Sequence, residues 1–175
     1  MCPTVAAETV REQRMRRWVQ AYGDAILRTC YVYLSNRTDA EDAMQDTFLK
    51  AWQSMEQYER RNNASEKTWL MRIAINVCHD YYRSRWFRRV DMRQALSDLP
   101  ERYLQVDEQD RTLILDVMRL PEKLKQVILL HYYHDMTLRE IAQVLGLAPS
   151  SVHHRLNKAT QQLRTAYTGG EENGQ

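Results

Sequence analysis

The segment 136–152, with the sequence MTLREIAQVLGLAPSSV, constrains the fold of this chain more than any other stretch. Thr137 and Glu140 have the spacing of a capping box, in which a hydroxyl and a carboxylate satisfy free backbone N–H groups at a helix start. Gly146 stands where the turn after that helix requires a positive φ angle. Pro149 or Ser150 is expected to open the following helix. The segment therefore predicts a helix-turn-helix.

The second helix of this motif is expected to have an apolar back and a polar front without acidic groups. The back has the spacing of a buried helical stripe, formed by Val152, Leu156, Ala159 and Leu163. The front carries Ser150, Ser151, His153, His154, Asn157, Lys158 and Gln161. Such side chains hydrogen-bond base edges or phosphates, as a helix in the major groove of DNA requires. The pattern favours DNA binding over a helical hairpin with a merely solvated face.

Apolar residues at helical spacing predict three further helices in the first half, over about residues 9–35, 38–57 and 65–87. Capping boxes are expected at Thr9 with Glu12 and at Thr38 with Glu41. Gly23 could divide the first helix, and the polar stretch 56–66 is interpreted as a loop. The chain has only 5 glycines and 4 prolines, which favours helix over sheet.

Weak apolar periodicity, a preponderance of acidic residues and Pro100 indicate an interdomain linker over residues 90–111. A second helical module is expected over residues 112–167, and the polar, glycine-containing tail 168–175 is expected to be disordered. We therefore predict an all-α fold. It would consist of two small helical domains, residues 8–89 and 112–167, joined by a flexible acidic linker, with the helix-turn-helix in the second domain.

Composition limits the classes of protein that this chain can belong to. With 25 Lys and Arg against 23 Asp and Glu, the net charge of +2 is too small to coat nucleic acid by bulk charge. The cysteines Cys2, Cys30 and Cys78 lack a Cys-x-x-Cys spacing, so reduced thiols are expected rather than a disulfide framework or zinc site. No signal peptide or membrane-spanning apolar run is recognisable, so a soluble cytoplasmic protein is expected.

Three stretches, taken together, resemble the extracytoplasmic-function (ECF) class of bacterial RNA polymerase sigma factors. Residues 39–52, DAEDAMQDTFLKAW, resemble the helix with which that family binds core polymerase. Residues 68–83, TWLMRIAINVCHDYYR, resemble its helix that reads the −10 promoter element, and residues 120–164 resemble its module for the −35 element. The resemblance covers nearly the whole chain in the family's order. It implies a non-catalytic initiation factor without a cofactor or a resident metal.

The resemblance assigns expected roles to residues of the first domain. Binding to a coiled coil of the polymerase's largest subunit would involve Asp42, Gln45, Asp46 and Leu49. An apolar Leu49 on a polar face is consistent with an interface. Binding, melting and capture of the −10 element would involve Tyr58, Arg60, Arg61, Asn62, Arg72, Asn76, Arg83 and Arg85. Stacking, amide and phosphate-binding groups suit a module that holds an unpaired base, whereas Trp69, Ile73 and Val77 are interpreted as core.

In the second domain the resemblance assigns contacts with the −35 element to Ser150, Ser151, His153, His154, Arg155 and Lys158. Many family members have Lys at position 153 and Ser at position 154, so the two histidines depart from the pattern. The module's core is expected to contain Pro121, Leu124, Val127, Ile128, Tyr132 and Tyr133. Part of this surface grips the polymerase flap tip in the family. The resemblance also implies promoter DNA as a ligand and an anti-sigma factor as an inhibitory partner.

Two other classes of protein are compatible with parts of the pattern. A helix-turn-helix regulator with an N-terminal sensor or dimerisation bundle would bind duplex DNA without polymerase. An enzyme built on a helical bundle has no support, because there is no glycine-rich phosphate loop, His-Glu-x-x-His or Glu-x-x-His motif. A metal site at His153 and His154 lacks a third ligand at helical spacing.

Overall fold

The N-terminal module consists of three long helices in the computed structural model of the chain, which describes residues 9–61, 64–84 and 108–169. They are α1 (Val10–Leu34), α2 (Arg37–Arg61) and α3 (Glu66–Ser84). The capping box at Thr9 is confirmed, since the Thr9 hydroxyl accepts from the Glu12 N–H and the Glu12 carboxylate accepts from the Thr9 N–H at 2.7 Å. α1 runs through Gly23 without a break and ends at Ser35, which has φ 54°.

Two expected boundaries in this module were wrong. Asn36, not Thr38, caps α2, because its Oδ1 accepts from the Asp39 N–H at 2.9 Å. Helix α2 also continues to Arg61, through most of the stretch interpreted as a loop. Its polar final turns are stabilised by α1, where Arg14 pairs with Glu59 and Arg11 pairs with Glu56 at 3.8 Å. These ion pairs join residues about 45 positions apart, so local apolar periodicity could not reveal them.

The N-terminal core is built on aromatic rings and two buried thiols. Trp18 is fully buried, and its ring centroid lies 5.3 Å from that of Trp69 and 6.1 Å from that of Tyr58. Cys30 of α1 and Cys78 of α3 are both buried, and a hydrogen bond between them together with burial raises the pKa of the Cys78 thiol. Both thiols therefore serve as small core residues, and the raised pKa keeps the Cys78 thiol protonated.

The C-terminal module contains four α-helices: α4 (Glu108–Arg119), α5 (Glu122–Ile128), α6 (Leu138–Leu145) and α7 (Pro149–Gly169). A π-helical turn, Leu129–Tyr133, continues α5. The capping box at Thr137 and Glu140 is confirmed, and Gly146 closes α6 with φ 64°. Of the two expected starts, Pro149 and Ser150, it is Pro149 that opens α7. Helices α6 and α7 form the expected helix-turn-helix, and no strand occurs in the described ranges, which confirms the all-α fold.

Some expectations for this half were wrong, and others lie outside the described residues. α4 begins at Glu108, within the segment taken as linker, and α7 includes residues 168 and 169 of the supposed disordered tail. Pro121, Tyr132 and Tyr133 are not core residues, because Pro121 is exposed and the two tyrosines are 60% and 42% exposed. The π-helical turn rotates both rings outward while Leu129 and Leu130 fill the core. Residues 90–107 and 170–175 lie outside the described residues.

The two modules pack directly against each other. Helix α3 lies against α6, and α1 touches both α4 and α5. The N-terminal core and the C-terminal core thus form one continuous buried cluster. Among the described helices, none has the length and apolar character that crossing a membrane requires.

Candidate polymerase and promoter interfaces

The exposed face of α2 carries three of the four residues that the resemblance assigned to polymerase binding. Asp42, Gln45 and Leu49 project into solvent at spacings of three and four residues, so they share one face of the helix. Leu49 is 55% exposed although it is apolar, whereas Ala43, Ala51 and Met55 of the same helix are buried. An exposed leucine between polar neighbours gives this face an apolar centre with a polar rim, the composition of a protein-binding patch.

Asp46 lies beside this face and is tied to α3. The Tyr81 hydroxyl donates to Asp46 Oδ2 at 2.9 Å, and burial followed by this carboxylate raises the pKa of Tyr81 to about 12. Lys50, one turn further along α2, lies 3.6 Å from the Asp80 carboxylate. These two links fix the α2 face relative to the C-terminal half of α3. Sequence reasoning missed Tyr81, because its partner is 35 positions away in the chain.

The exposed face of α3 carries Arg72, Asn76 and Arg83, which follow each other at four and seven residues. All three side chains are exposed, whereas Ala74, Ile75 and Val77 are buried. The spacing places two guanidinium groups and a carboxamide along one side of the helix. An amide can read a base edge and guanidinium groups can bind phosphates. As expected, Trp69 and Ile73 pack against the core.

Residues expected in a base-capturing loop are placed differently. Tyr58 lies on α2, its ring centroid is 4.7 Å from that of Trp69, and its hydroxyl donates to the Ala64 carbonyl at 3.2 Å. Tyr58 therefore supports the short α2–α3 connection rather than standing free within it. Arg60 is exposed and pairs with Glu56 at 3.6 Å, and Arg61 is the last residue of α2. Asn62 and Arg85 lie outside the described residues.

Helix α7 presents the front that the sequence predicted. Five of the six assigned side chains are exposed: Ser150, Ser151, His153, His154 and Lys158. Arg155 is half-buried, and the back of the helix buries Val152, Leu156 and Ala159. The helix has no acidic residue between positions 149 and 169, and its N-terminus carries the partial positive charge of the helix dipole. This front suits the phosphates and base edges of a duplex.

The comparisons with known proteins follow the same two modules. A family model for sigma-70 region 2 matches residues 18–88, and one for sigma-70 region 4 matches residues 117–163. The chain is 30% identical over 151 residues to the RNA polymerase sigma factor YlaC of Bacillus subtilis (strain 168), covering 80% of this chain and 86% of that protein. It is 29% identical over 160 residues to the ECF RNA polymerase sigma factor SigW of the same organism, covering 83% and 84%. The chain belongs to the extracytoplasmic-function class of RNA polymerase sigma factors.

Solved structures show the same architecture. The sigma factor resembles CnrH, solved in complex with the cytosolic domain of CnrY, with a TM-score of 0.69, 26% identity and 90% of each chain covered. The fold also resembles that of RpoE from Bartonella quintana, at a TM-score of 0.70 and 20% identity over 89% of this chain and 98% of that one. As a member of this class, the protein directs RNA polymerase to promoters.

Proposed function

We propose that this sigma factor divides its work among three exposed faces. The α2 face of Asp42, Gln45, Asp46 and Leu49 binds the coiled coil of the polymerase's largest subunit. The α3 face of Arg72, Asn76 and Arg83 binds the −10 element, and the α7 front binds the −35 element. The observation that supports this division best is that each face is solvent-exposed while the opposite side of its helix is buried. The protein acts in the cytoplasm and recognises the promoter, while the polymerase catalyses RNA synthesis.

The same proposal includes two further contacts of the C-terminal module. The exposed rings of Tyr132 and Tyr133 form an apolar surface beside the helix-turn-helix, suited to the polymerase flap tip. An anti-sigma factor covers the promoter-binding modules in the resting cell. Support for that partner comes from the fold, which this chain shares with the RpoE of Bartonella quintana solved with the anti-sigma factor NepR.

Photo-cross-linking tests the three faces directly. A photoreactive amino acid at position 45 should cross-link to the largest subunit of core polymerase. At position 76 it should cross-link to the −10 element only after the promoter opens, and at position 154 to the −35 duplex. Position 20, on the exposed side of α1, serves as the control and should give none of these products. Labelling of other subunits or of unrelated DNA positions would contradict the division.

Replacing Asn76 by alanine should weaken formation of the open promoter complex without weakening binding to core polymerase. The side chain is exposed, so its truncation removes a base contact and leaves the helix intact. One lost base-reading contact corresponds to about 1–3 kcal/mol, or roughly 5-fold to 150-fold in open-complex stability. Permanganate footprinting measures the open complex, and fluorescence anisotropy measures core binding. Equal losses in both assays would make Asn76 a structural residue.

Replacing Lys158 by alanine should weaken binding of the holoenzyme to −35 DNA of any sequence. A lysine that neutralises one phosphate releases about one counterion, so the slope of log K against log salt should decrease by about 0.9. Gln161, exposed on the same helix, provides an uncharged control for truncation. DNA titrations at several salt concentrations give the slope for Lys158→Ala and the slope for Gln161→Ala. An unchanged slope for Lys158→Ala would exclude a phosphate contact at this position.

A further inference from the structure

Asp80 lies on the same exposed face of α3 as the residues that are proposed to bind the −10 element. At intervals of four, four and three residues, this face carries Arg72, Asn76, Asp80 and Arg83. Side chains at this spacing share one side of a helix. The Asp80 side chain is 64% exposed, and Asp80 is the one acidic residue of the sequence between positions 67 and 84. A single carboxylate therefore lies within a surface that is proposed to bind DNA.

A carboxylate is unfavourable on a surface that binds only phosphates, because the phosphates repel it. Helix α7, which is proposed to bind intact duplex, accordingly has no acidic residue between positions 149 and 169. On α3 the carboxylate stands between Asn76 and Arg83, at the centre of the proposed contact. A carboxylate accepts N–H groups and donates none. Its presence there is compatible with DNA binding when it accepts hydrogen bonds from a base.

Lys50 of α2 lies beside Asp80 without covering it. The Lys50 ammonium is 3.6 Å from Asp80 Oδ2, which is longer than a hydrogen bond, and the two side chains are 53% and 64% exposed. Ion pairs as exposed as this one contribute little to stability. A purely structural role therefore explains Asp80 poorly. The ammonium also offsets part of the repulsion between the Asp80 carboxylate and nearby phosphates, so the carboxylate can approach DNA.

Guanine is the base whose edge matches a carboxylate best. Its N1–H and N2–H₂ groups lie side by side and can donate to both carboxylate oxygens, in the same bidentate manner as a guanidinium group. Cytosine and adenine each offer one amino group beside a ring nitrogen that is an acceptor, and thymine offers one N–H between two carbonyl oxygens. These Watson–Crick edges are free when a base is unpaired, and proteins that hold an extruded base read it at this edge.

We propose that Asp80 is a specificity-determining residue for the −10 element and that it selects an unpaired guanine through the N1–H and N2–H₂ groups. This role rests on the proposed division of work among the three faces, in which α3 binds the −10 element. Asn76 and Asp80 lie one helical turn apart, so they can contact neighbouring bases. The arginines on either side bind phosphates, which carry no sequence information. Asp80 therefore adds base selectivity that the arginines do not provide.

Asp80→Asn tests this role, because the amide has nearly the shape of the carboxylate but only one acceptor oxygen. Asp24→Asn, on the exposed side of α1, removes the same charge outside the three proposed faces. Holoenzymes with wild type and with each variant transcribe a promoter that wild type uses, with its −10 bases randomised, and the transcripts are sequenced. We expect wild type and Asp24→Asn to enrich guanine equally at one position. Asp80→Asn should reduce that enrichment by about tenfold.

Inosine identifies the atoms that Asp80 contacts, because it keeps the N1–H of guanine and lacks the N2 amino group. Inosine replaces the selected guanine in a template whose −10 region is already unpaired, so that the strength of base pairing does not affect the result. We expect this replacement to weaken binding of the wild-type holoenzyme by about tenfold, the loss of one hydrogen bond to a charged group. Binding of the Asp80→Asn holoenzyme should change by about twofold or less.

A charge-swapped protein, with Lys50→Asp and Asp80→Lys together, separates base recognition from the ion pair between α2 and α3. The swap restores opposite charges at the two positions but places an ammonium group where the carboxylate stood. An ammonium group cannot accept an N–H, so the difference between guanine and inosine should remain lost. If the swapped protein regains that difference, Asp80 acts through its pair with Lys50 and its role as a base-reading residue is overturned.

The outcomes distinguish failure of the role of Asp80 from failure of the proposed function. If wild type directs no promoter-specific transcription with core polymerase, the proposed function fails and the role of Asp80 fails with it. If wild type is active but Asp80→Asn enriches the same bases as Asp24→Asn, the role of Asp80 alone is overturned. It is also overturned if wild type selects no guanine in the −10 element, or if Asp80→Asn loses selectivity at another base or equally at every −10 position.

Discussion

Trp18→Ala is expected to lower the free energy of unfolding by about 3–5 kcal/mol, the largest stability effect that the structure predicts for a single substitution. The Trp18 side chain is fully buried between α1, α2 and α3, and its ring touches those of Tyr58 and Trp69. Truncation would leave a cavity at the point where all three helices meet. Because a small domain has only about 5–15 kcal/mol of stability, the variant would lose a large share of it.

Trp18→Phe is the matched control for this prediction. Phenylalanine fills most of the space and removes the Trp18 Nε1–H, which finds no acceptor among the described residues. The lost contacts are therefore partly offset by removing a buried donor that has no partner. Urea denaturation followed by circular dichroism measures both variants. If Trp18→Ala unfolds at the same urea concentration as wild type, the aromatic cluster does not stabilise the module as the structure indicates.

Leu49→Glu is expected to weaken binding to core polymerase by about 30-fold or more. An apolar anchor at the centre of an interface contributes about 2 kcal/mol or more, and a carboxylate there must also be desolvated. The side chain is 55% exposed in the free protein, so the substitution should leave the fold unchanged. Surface substitutions of this kind alter stability by no more than about 0.5 kcal/mol. Binding of the labelled variant to core polymerase, measured by anisotropy, gives the change in affinity.

Val19→Glu is the matched control, because it also places a negative charge at an exposed apolar position. Val19 lies on α1 and is 45% exposed, outside the three proposed faces. The Val19→Glu variant should bind core polymerase with wild-type affinity. Equal weakening by Leu49→Glu and Val19→Glu would mean that added negative charge, rather than the α2 face, determines the loss.

Local sequence signals predicted most of the helices and the exposed polar faces to which we assign recognition. The capping boxes at Thr9 and Thr137, the turn at Gly146 and the start of α7 at Pro149 depend on neighbours within a few residues. The polar front of α7 likewise follows from helical periodicity alone. These features could be predicted because the interactions that produce them are local.

Features that depend on distant partners could not be predicted in this way. The last turns of α2 look like a loop in sequence, and only Arg11 and Arg14 of α1 show why they are helical. The pair of Cys30 with Cys78 and the link of Tyr81 to Asp46 join different helices. The contacts of Tyr33 with Glu122 and of Thr29 with His134 depend on packing between the modules that no periodicity encodes. The outward rings of Tyr132 and Tyr133 follow from a π-helical turn that shifts the helical register.

Transcription by core polymerase on a library of genomic fragments tests the central claim most directly. Core enzyme from the host is incubated with and without the sigma factor, and the transcript starts are sequenced. We expect a small set of transcript starts that require the protein and share two sequence elements, near −10 and −35, at a fixed spacing. A protein that binds duplex DNA alone and adds no promoter-specific starts to core polymerase would contradict the account and support a helix-turn-helix regulator instead.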